Sequence, residues 1–318
     1  MSMIDVARSC GDIVRVTRRQ GEGMWERARG DDMTEFYRDL RYLRLPVPDL
    51  AVAASFAADV FGLQAGDSDD DNRRFRSDAR NYALCYTRND GPAVALTVAR
   101  PEDLDAAEGR LAEWSPSRLD AEECRIRQVK SGLAVTAPNG VTVELVWRPL
   151  TSGWRYHGPR DAGITGFEAV QLACTDIAAN EVFWTRGIGL AVSDWIGEAA
   201  FLRLDEAHHR IALYPSERDG ILGASWAVEG INNVMQGWYF LQSRQVPVMH
   251  GPGRQAASNA VFVTARGPGD IYYSYVAETE AGPQVAARGA RQFSDTARSH
   301  CAWGSPCLAP EFQGGEER

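Results

Sequence analysis

Apolar and polar residues alternate at two places 127 residues apart, and each alternating stretch is followed by a helical one. The first copy runs from Tyr42 to Leu63 and the second from Ala169 to Leu190. Alternation with a period of two predicts a strand. In both copies an aspartate then stands where a helix N-cap belongs, and a Gly-Leu pair marks the helix end. The chain therefore contains an internal repeat of strand, helix and turn.

The ends of the two copies match as well. The segments "APNGVTVELVWRP" and "RGPGDIYYSYVAE" each place a turn before an alternating strand, and their alignment puts Glu144 opposite Ser274. Further helical segments are predicted at 100–114 and 231–244, so each copy divides internally. We therefore predict an α+β protein of four strand–helix–strand–strand–strand units, arranged as two pairs.

This repeat predicts how the chain divides into domains. The first pair of units occupies 38–150 and the second occupies 164–280, with the Gly- and Pro-containing linker 151–163 between them. Residues 1–37 are predicted to form an N-terminal arm, and residues 281–318 a C-terminal tail outside both repeats.

Composition narrows the class of protein. The 318 residues are 44% hydrophobic and carry a net charge of −9, which fits an ordinary globular chain and argues against nucleic acid as a partner. No run approaches 18 consecutive apolar residues, so no membrane partner is expected. The N-terminus lacks a secretory apolar region, and we expect a cytoplasmic protein.

Six cysteines are scattered along the chain without a Cys-x-x-Cys pair. In a chain without an export signal they are expected to be reduced thiols rather than a disulfide framework. A bridge between Cys301 and Cys307 in the tail is the alternative.

Three segments carry a family resemblance. "LRYLRLPVPDLAVAASFAADVFGLQ", "HHRIALYP" and "HGPGRQAASNAVFVTARGPGDIYYSYV" resemble the two-module type I extradiol ring-cleavage dioxygenases of the vicinal oxygen chelate superfamily. The resemblance runs from about residue 40 to residue 278. It implies two open β-barrel modules built from paired βαβββ units, a ligand cavity in the C-terminal module, and assembly into a homo-oligomer.

The resemblance also implies a metal site that this chain has largely lost. Family members hold Fe(II), occasionally Mn(II), with two histidines and one glutamate. The matching positions here are Ala169, His209 and Ser274, so one ligand of three remains. A single imidazole does not hold a labile divalent ion. We expect no resident cofactor, with Fe(II) bound by Glu168 and His209 as the alternative.

Strand parity assigns directions to the neighbouring side chains. In "DEAHHRIALYP", His209 is predicted to face the cavity and His208 to point away, as a surface or loop histidine. Another active-site histidine of the family is matched by Ala224. The predicted catalytic residues are His209, Tyr272 and Ser274. The predicted substrate-binding residues are Ala169, Gln171, Ala224, Trp226, Gln255 and Asp270.

Three functions are compatible with these residues. The retained His209 favours a metal-independent enzyme that acts on an aromatic, phenolic or polyketide-like substrate by acid–base chemistry, with or without O2. Loss of the metal ligands also suits a non-catalytic protein that binds a small aromatic or polycyclic ligand. The third is an Fe(II) ring-cleaving dioxygenase with a metal site rebuilt around Glu168 and His209.

Overall fold

The computed structural model describes residues 35–315, so most of the predicted N-terminal arm lies outside the described residues. Within this range the chain forms two mixed β-sheets, one of eight strands and one of nine. The strands of the first sheet are β1 Tyr37–Pro46, β2 Gln64–Ala65, β3 Asn72–Arg76, β4 Leu84–Thr87, β5 Ala93–Val98, β6 Ser117–Arg118, β7 Ser131–Thr136 and β8 Thr142–Trp147.

The second sheet repeats this plan and adds one strand. Its strands are β9 Ile164–Cys174, β10 Ala191–Ile196, β11 Ala199–Arg203, β12 Ile211–Pro215, β13 Gly220–Val228, β14 Val248–Arg254, β15 Val261–Gly267, β16 Ile271–Ala277 and β17 Arg291–Phe293. The helices are α1 Leu50–Ser55, α2 Glu102–Arg110, α3 Ala121–Arg127, α4 Ile177–Val182, α5 Ile231–Ser243, α6 Pro283–Ala287 and α7 Ala297–His300.

Strand order confirms the predicted pairing of units. The first sheet runs β2-β3-β4-β1-β5-β8-β7-β6, and the second runs β14-β15-β16-β13-β9-β12-β11-β10-β17. In both, the first strands of the two units pair antiparallel at the centre, and each pairs parallel with the last strand of its own unit. The α+β prediction of four βαβββ units in two pairs is therefore confirmed.

Local chemistry explains the first helix of each repeat. The carboxylate of Asp49 accepts hydrogen bonds from two backbone amides at the start of α1, and Asp176 accepts one at the start of α4. Both helices widen into a π-helical turn before they end. Gly62 and Gly189 follow with φ near +91° and +92°, a conformation that costs a glycine little. The predicted caps and stops are confirmed.

The two sheets share one hydrophobic core. Trp226 lies at its centre, where its ring is parallel to that of Tyr273 at 5.7 Å and packs on the edge of Phe61 from the first repeat. The hydroxyls of Tyr86 and Tyr273 lie 2.9 Å apart across the two repeats. The contact ties the second sheet to the first. Among the described helices, none has the length and apolar character needed to cross a bilayer.

The tail after residue 281 is built into the second sheet. β17 extends the sheet by pairing parallel with β10, which sets Arg291 beside Asp194. Further on, the backbone amide of Leu308 donates to the carbonyl of Met249 in β14. The tail therefore contacts both edges of the sheet that surrounds the site described next.

Candidate active site

A cavity of about 70 Å³ lies inside the curl of the second sheet. Six consecutive strands of the sheet supply its wall, from β14 at one edge through β15, β16, β13 and β9 to β12. The tail closes it with His300 and Phe312. Such a space holds a few ordered water molecules but is smaller than the cavity of about 150 Å³ known to admit benzene.

Small polar side chains form one wall of the cavity. Ser225 in β13 lies directly between Ala169 of β9 and Ser274 of β16 in the strand register. The amide nitrogen of Gln171 donates to the Ser225 hydroxyl at 2.9 Å, while its carbonyl oxygen is buried without a hydrogen-bond partner among the described residues. The hydroxyls of Ser274 and Thr264 lie 2.8 Å apart. This wall offers neutral donors and acceptors, and one buried acceptor is free.

The side chains at the three positions where the family resemblance implies metal ligands do not fit Fe(II). Ala169 and Ser274 present a methyl group and a neutral hydroxyl beside His209, and neither replaces an imidazole or a carboxylate as a ligand. Glu168 also lines the cavity, but its carboxylate lies 2.7 Å from the guanidinium of Arg210. Across residues 35–315 no three histidine, cysteine or carboxylate side chains cluster as a metal site would require.

His209 lies at the end of a buried chain of hydrogen bonds. Its Nδ1 atom is 3.0 Å from Nδ1 of His208, and Nε2 of His208 is 2.6 Å from a carboxylate oxygen of Asp194. His208 and Asp194 have no exposed surface, whereas His209 lines the cavity. His208 lies in the loop before β12 and points away from the cavity, as predicted, but it is buried, so the alternative of a surface histidine is wrong. Both histidines precede β12 in a bend, where strand alternation does not apply.

Asp194 is held ionised by the tail. Arg288 approaches its two oxygens at 2.9 and 3.0 Å, and the Arg291 guanidinium approaches them at 3.0 and 2.7 Å. Burial raises the pKa of this carboxyl, but its hydrogen bonds to His208 and the arginines outweigh burial and leave the pKa far below its usual value. Glu280 lies 3.3 Å from both arginines. The four charges of the cluster therefore balance.

These bonds are compatible with one pair of tautomers in which His209 can act as a base. An ionised Asp194 only accepts, so Nε2 of His208 carries a hydrogen. In this pair Nδ1 of His208 is the acceptor, and Nδ1 of His209 donates to it. That leaves the Nε2 lone pair of His209 unprotonated. Burial is the main cause that lowers the pKa of His209 well below its usual value, and the positive charge of Arg210 acts in the same direction. The imidazole of His209 is neutral at pH 7.

Two further histidines line the same cavity. His250 in β14 is buried, and burial lowers its pKa to about 4. Burial also lowers the pKa of His300, although the carboxylate of Asp295, 3.2 Å from its Nε2, opposes this. The family resemblance assigned no role to either residue. The sequence offered no signal for either residue beyond its being a histidine without an assigned role.

The structure separates the predicted site residues into two groups. His209, Ala169, Gln171, Gln255 and Ser274 line the cavity. Four others do not, for reasons that differ from one to the next.

Ala224 and Trp226 face the hydrophobic core, because alternation along β13 turns the intervening Ser225 into the cavity. Tyr272 lies on the correct face of β16 but is covered by Phe312 and packs in a satellite cluster. Asp270 belongs to the turn before β16, where it pairs with Arg266 in solvent.

In the first repeat, a network that includes charged side chains fills the position equivalent to the polar cavity wall of the second repeat. Tyr42, Ala95 and Glu144 have the register of Ala169, Ser225 and Ser274. The phenol of Tyr42 donates to the Glu144 carboxylate. Two arginines also bind this carboxylate, Arg44 at 2.9 Å and Arg127 at 2.7 Å. In the first repeat this network occupies the position equivalent to the polar wall of the cavity.

Similarity to known proteins was found among solved structures but not among protein families or curated sequences. No known protein family matches the sequence, and no curated protein is detectably similar to it. A halotolerant catechol dioxygenase is 19% identical with a TM-score of 0.78, over 87% of this chain and 97% of that one. Homoprotocatechuate 2,3-dioxygenase from Arthrobacter globiformis is 19% identical with a TM-score of 0.77, over 89% and 92% of the two chains.

A Mn(II)-bound glyoxalase from Novosphingobium aromaticivorans has the same architecture. It is 22% identical with a TM-score of 0.76, over 89% of this chain and 95% of that one. The TM-scores of these structures establish a shared fold, whereas sequence identities this low leave the activity open. The chain has the two-module vicinal oxygen chelate fold that the extradiol dioxygenases and glyoxalases share.

Proposed function

We propose that this protein is an enzyme that uses His209 as a general base on a small aromatic or phenolic substrate, without a metal ion held at the family's position. The hydrogen-bonded chain from Asp194 through His208 to His209 carries the proposal. A structural histidine needs one satisfied hydrogen bond, whereas this one has an oriented and buried partner behind it and a cavity in front of it.

The proposed proton transfer involves only the substrate, His209 and His208. A substrate hydroxyl gives its proton to Nε2 of His209, and the electron pair of the O–H bond stays on the substrate oxygen. The Nδ1 proton of His209 moves to Nδ1 of His208. The result is a substrate phenolate and a cationic His208, whose positive charge lies 2.6 Å from ionised Asp194. The charge created in the step is therefore stabilised at its far end.

The polar wall is positioned to orient a ring hydroxyl. The buried carbonyl oxygen of Gln171 accepts one hydrogen bond from a ligand, and Ser274 offers a hydroxyl beside it. Phe262 and Phe312 supply aromatic faces. The similar catechol and homoprotocatechuate dioxygenases also act on aromatic rings. The cavity of about 70 Å³ is smaller than one that admits benzene, so even a single-ring substrate enters only if His300 and Phe312 of the tail move outward.

Turnover of a panel of phenols and catechols tests the proposal. We expect conversion that survives removal of metal by EDTA and falls by about 10²–10⁴-fold in His209→Ala. The matched control is His157→Ala, because His157 is an exposed histidine of the linker that does not line the cavity. Activity that disappears with the chelator would show a rebuilt Fe(II) site instead.

A second outcome separates catalysis from binding. If a phenol binds stoichiometrically to the wild-type chain but no member of the panel is converted, the protein is a ligand-binding protein and the proposal fails. If His209→Ala converts the substrate at the wild-type rate, the fold retains a catalytic role but His209 does not perform it.

A further inference from the structure

His250 occupies the edge of the cavity farthest from His209 along the sheet. His250 lies on β14, the outermost strand, while His209 directly precedes β12, and four strands separate them. Because the sheet curls, both side chains line one cavity. A ligand in this cavity is therefore approached by imidazoles from two different sides.

The side chain of His250 is fixed by packing alone. It is 3% exposed, its ring packs edge-on against Phe262 at 4.7 Å, and it lies near Phe312 of the tail at 6.2 Å. Burial is the single cause of its shifted pKa, with no hydrogen bond from any described residue contributing. Its ring nitrogens are a donor and an acceptor held in place for a partner that residues 35–315 do not supply.

The cavity provides no positive charge for an anion. Among the described residues that line it there is no lysine or arginine, and the carboxylate of Glu168 is already paired with Arg210. The three lining histidines are all neutral at pH 7, because burial opposes their protonation. A carboxylate or phosphate brought into this space would lose its hydration without a compensating ion pair.

We propose that His250 is a second ligand-binding residue, which hydrogen-bonds an uncharged oxygen of the substrate at the end opposite the hydroxyl deprotonated by His209. This inference rests on the proposed function for its cavity and ligand class. It adds a specificity rule: the site selects neutral single-ring compounds with two oxygen functions and rejects the corresponding carboxylates.

Three probes of similar size test the rule by calorimetric titration of the full chain. Phenol has one hydroxyl, resorcinol has two, and 3-hydroxybenzoate replaces the second with a carboxylate. We expect resorcinol to bind about 3- to 10-fold more tightly than phenol, as one added hydrogen bond provides. We expect 3-hydroxybenzoate to bind more weakly than resorcinol.

Two substitutions separate the hydrogen bond from the packing. His250→Phe keeps a ring against Phe262 and Phe312 but removes both nitrogens, so the preference for resorcinol over phenol should vanish while phenol affinity stays within about 2-fold. His250→Asn keeps a donor and an acceptor and should restore part of the preference. Thermal melting of each variant verifies that it is folded.

The inference is overturned by an unchanged resorcinol-to-phenol ratio in a folded His250→Phe variant, by tighter binding of 3-hydroxybenzoate, or by failure of all three probes to bind at millimolar concentration. These binding results are independent of turnover. Loss of activity in His209→Ala with an unchanged ratio in His250→Phe would leave the proposed function standing and remove the role of His250.

Discussion

The Nδ1 atoms of His208 and His209 lie 3.0 Å apart, which makes two adjacent residues into consecutive members of one hydrogen-bonded chain. Neighbours in a strand would point to opposite faces. The bend before β12 removes that constraint and turns His208 toward Asp194 while His209 lines the cavity. The adjacent pair His208 and His209 therefore connects the cavity to the carboxylate of Asp194, which does not line the cavity.

Replacing His208 tests this coupling. His208→Phe removes both hydrogen bonds, so the charge produced by deprotonating a substrate would no longer reach Asp194. We expect turnover to fall by about 10²-fold or more, with the loss in kcat rather than in KM. Equal kcat values for His208→Phe and wild type in steady-state kinetics would refute the relay.

Asp194 is predicted to stabilise the tail as well as the histidines. Asp194→Asn leaves Arg288 and Arg291 without their shared carboxylate in a buried site, and we expect a loss of about 3 kcal/mol in the free energy of unfolding. Urea denaturation measures it. The control is Asp295→Asn, because Asp295 is half exposed and its contact with His300 should be worth under about 1 kcal/mol.

Restoring two side chains should restore a metal site. The register places residues 169 and 274 on either side of Ser225, next to the cavity that His209 lines. We expect the double variant A169H/S274E to bind about one equivalent of Mn(II) or Fe(II), measured by elemental analysis after dialysis. Each single variant supplies two ligands and should retain little metal. A double variant as metal-free as the wild type would show that the cavity geometry has diverged.

Acid should destabilise the protein through its buried histidines. Burial lowers the pKa of His250 from its ordinary value of 6.5 to about 4, so between these values the unfolded chain binds a proton that the folded chain does not. Stability is therefore full above pH 7 and falls as the pH drops toward 4. His250 alone accounts for about 3 kcal/mol of that loss.

Urea titrations at pH 7 and pH 4 measure the effect. His250→Asn should lose about 3 kcal/mol less than the wild type between the two pH values. His157→Ala should match the wild type, because His157 is exposed. An equal loss in all three proteins would assign the acid sensitivity to other groups.

The buried network of the first repeat should support stability without affecting ligand binding. Glu144→Gln leaves Arg44 and Arg127 without a counter-charge at a position that has no solvent exposure. We expect a cost of about 3 kcal/mol in the free energy of unfolding. Phenol affinity in the second repeat should remain unchanged in the same variant, since the network lies in the other sheet.

The sequence by itself determined the fold and part of the cavity wall. The repeat at a spacing of 127 residues, the N-caps at Asp49 and Asp176 and the alternation around Ala169 are patterns that can be recognised without knowing any tertiary contact. They predicted the paired βαβββ units, and the family resemblance added the expectation that Ala169, Gln171, His209 and Ser274 line the cavity. The resemblance also implied metal ligands at positions 169 and 274, where this sequence has alanine and serine.

The tertiary structure decided what surrounds those positions. His208 is buried because a bend interrupts the strand, and Trp226 enters the core because Ser225 takes the cavity face of β13. Asp194 meets Arg291 across 97 residues, and the tail brings His300 into the cavity. Contacts between residues far apart in the chain depend on how elements pack, and a one-residue change of register reverses every side chain on a strand.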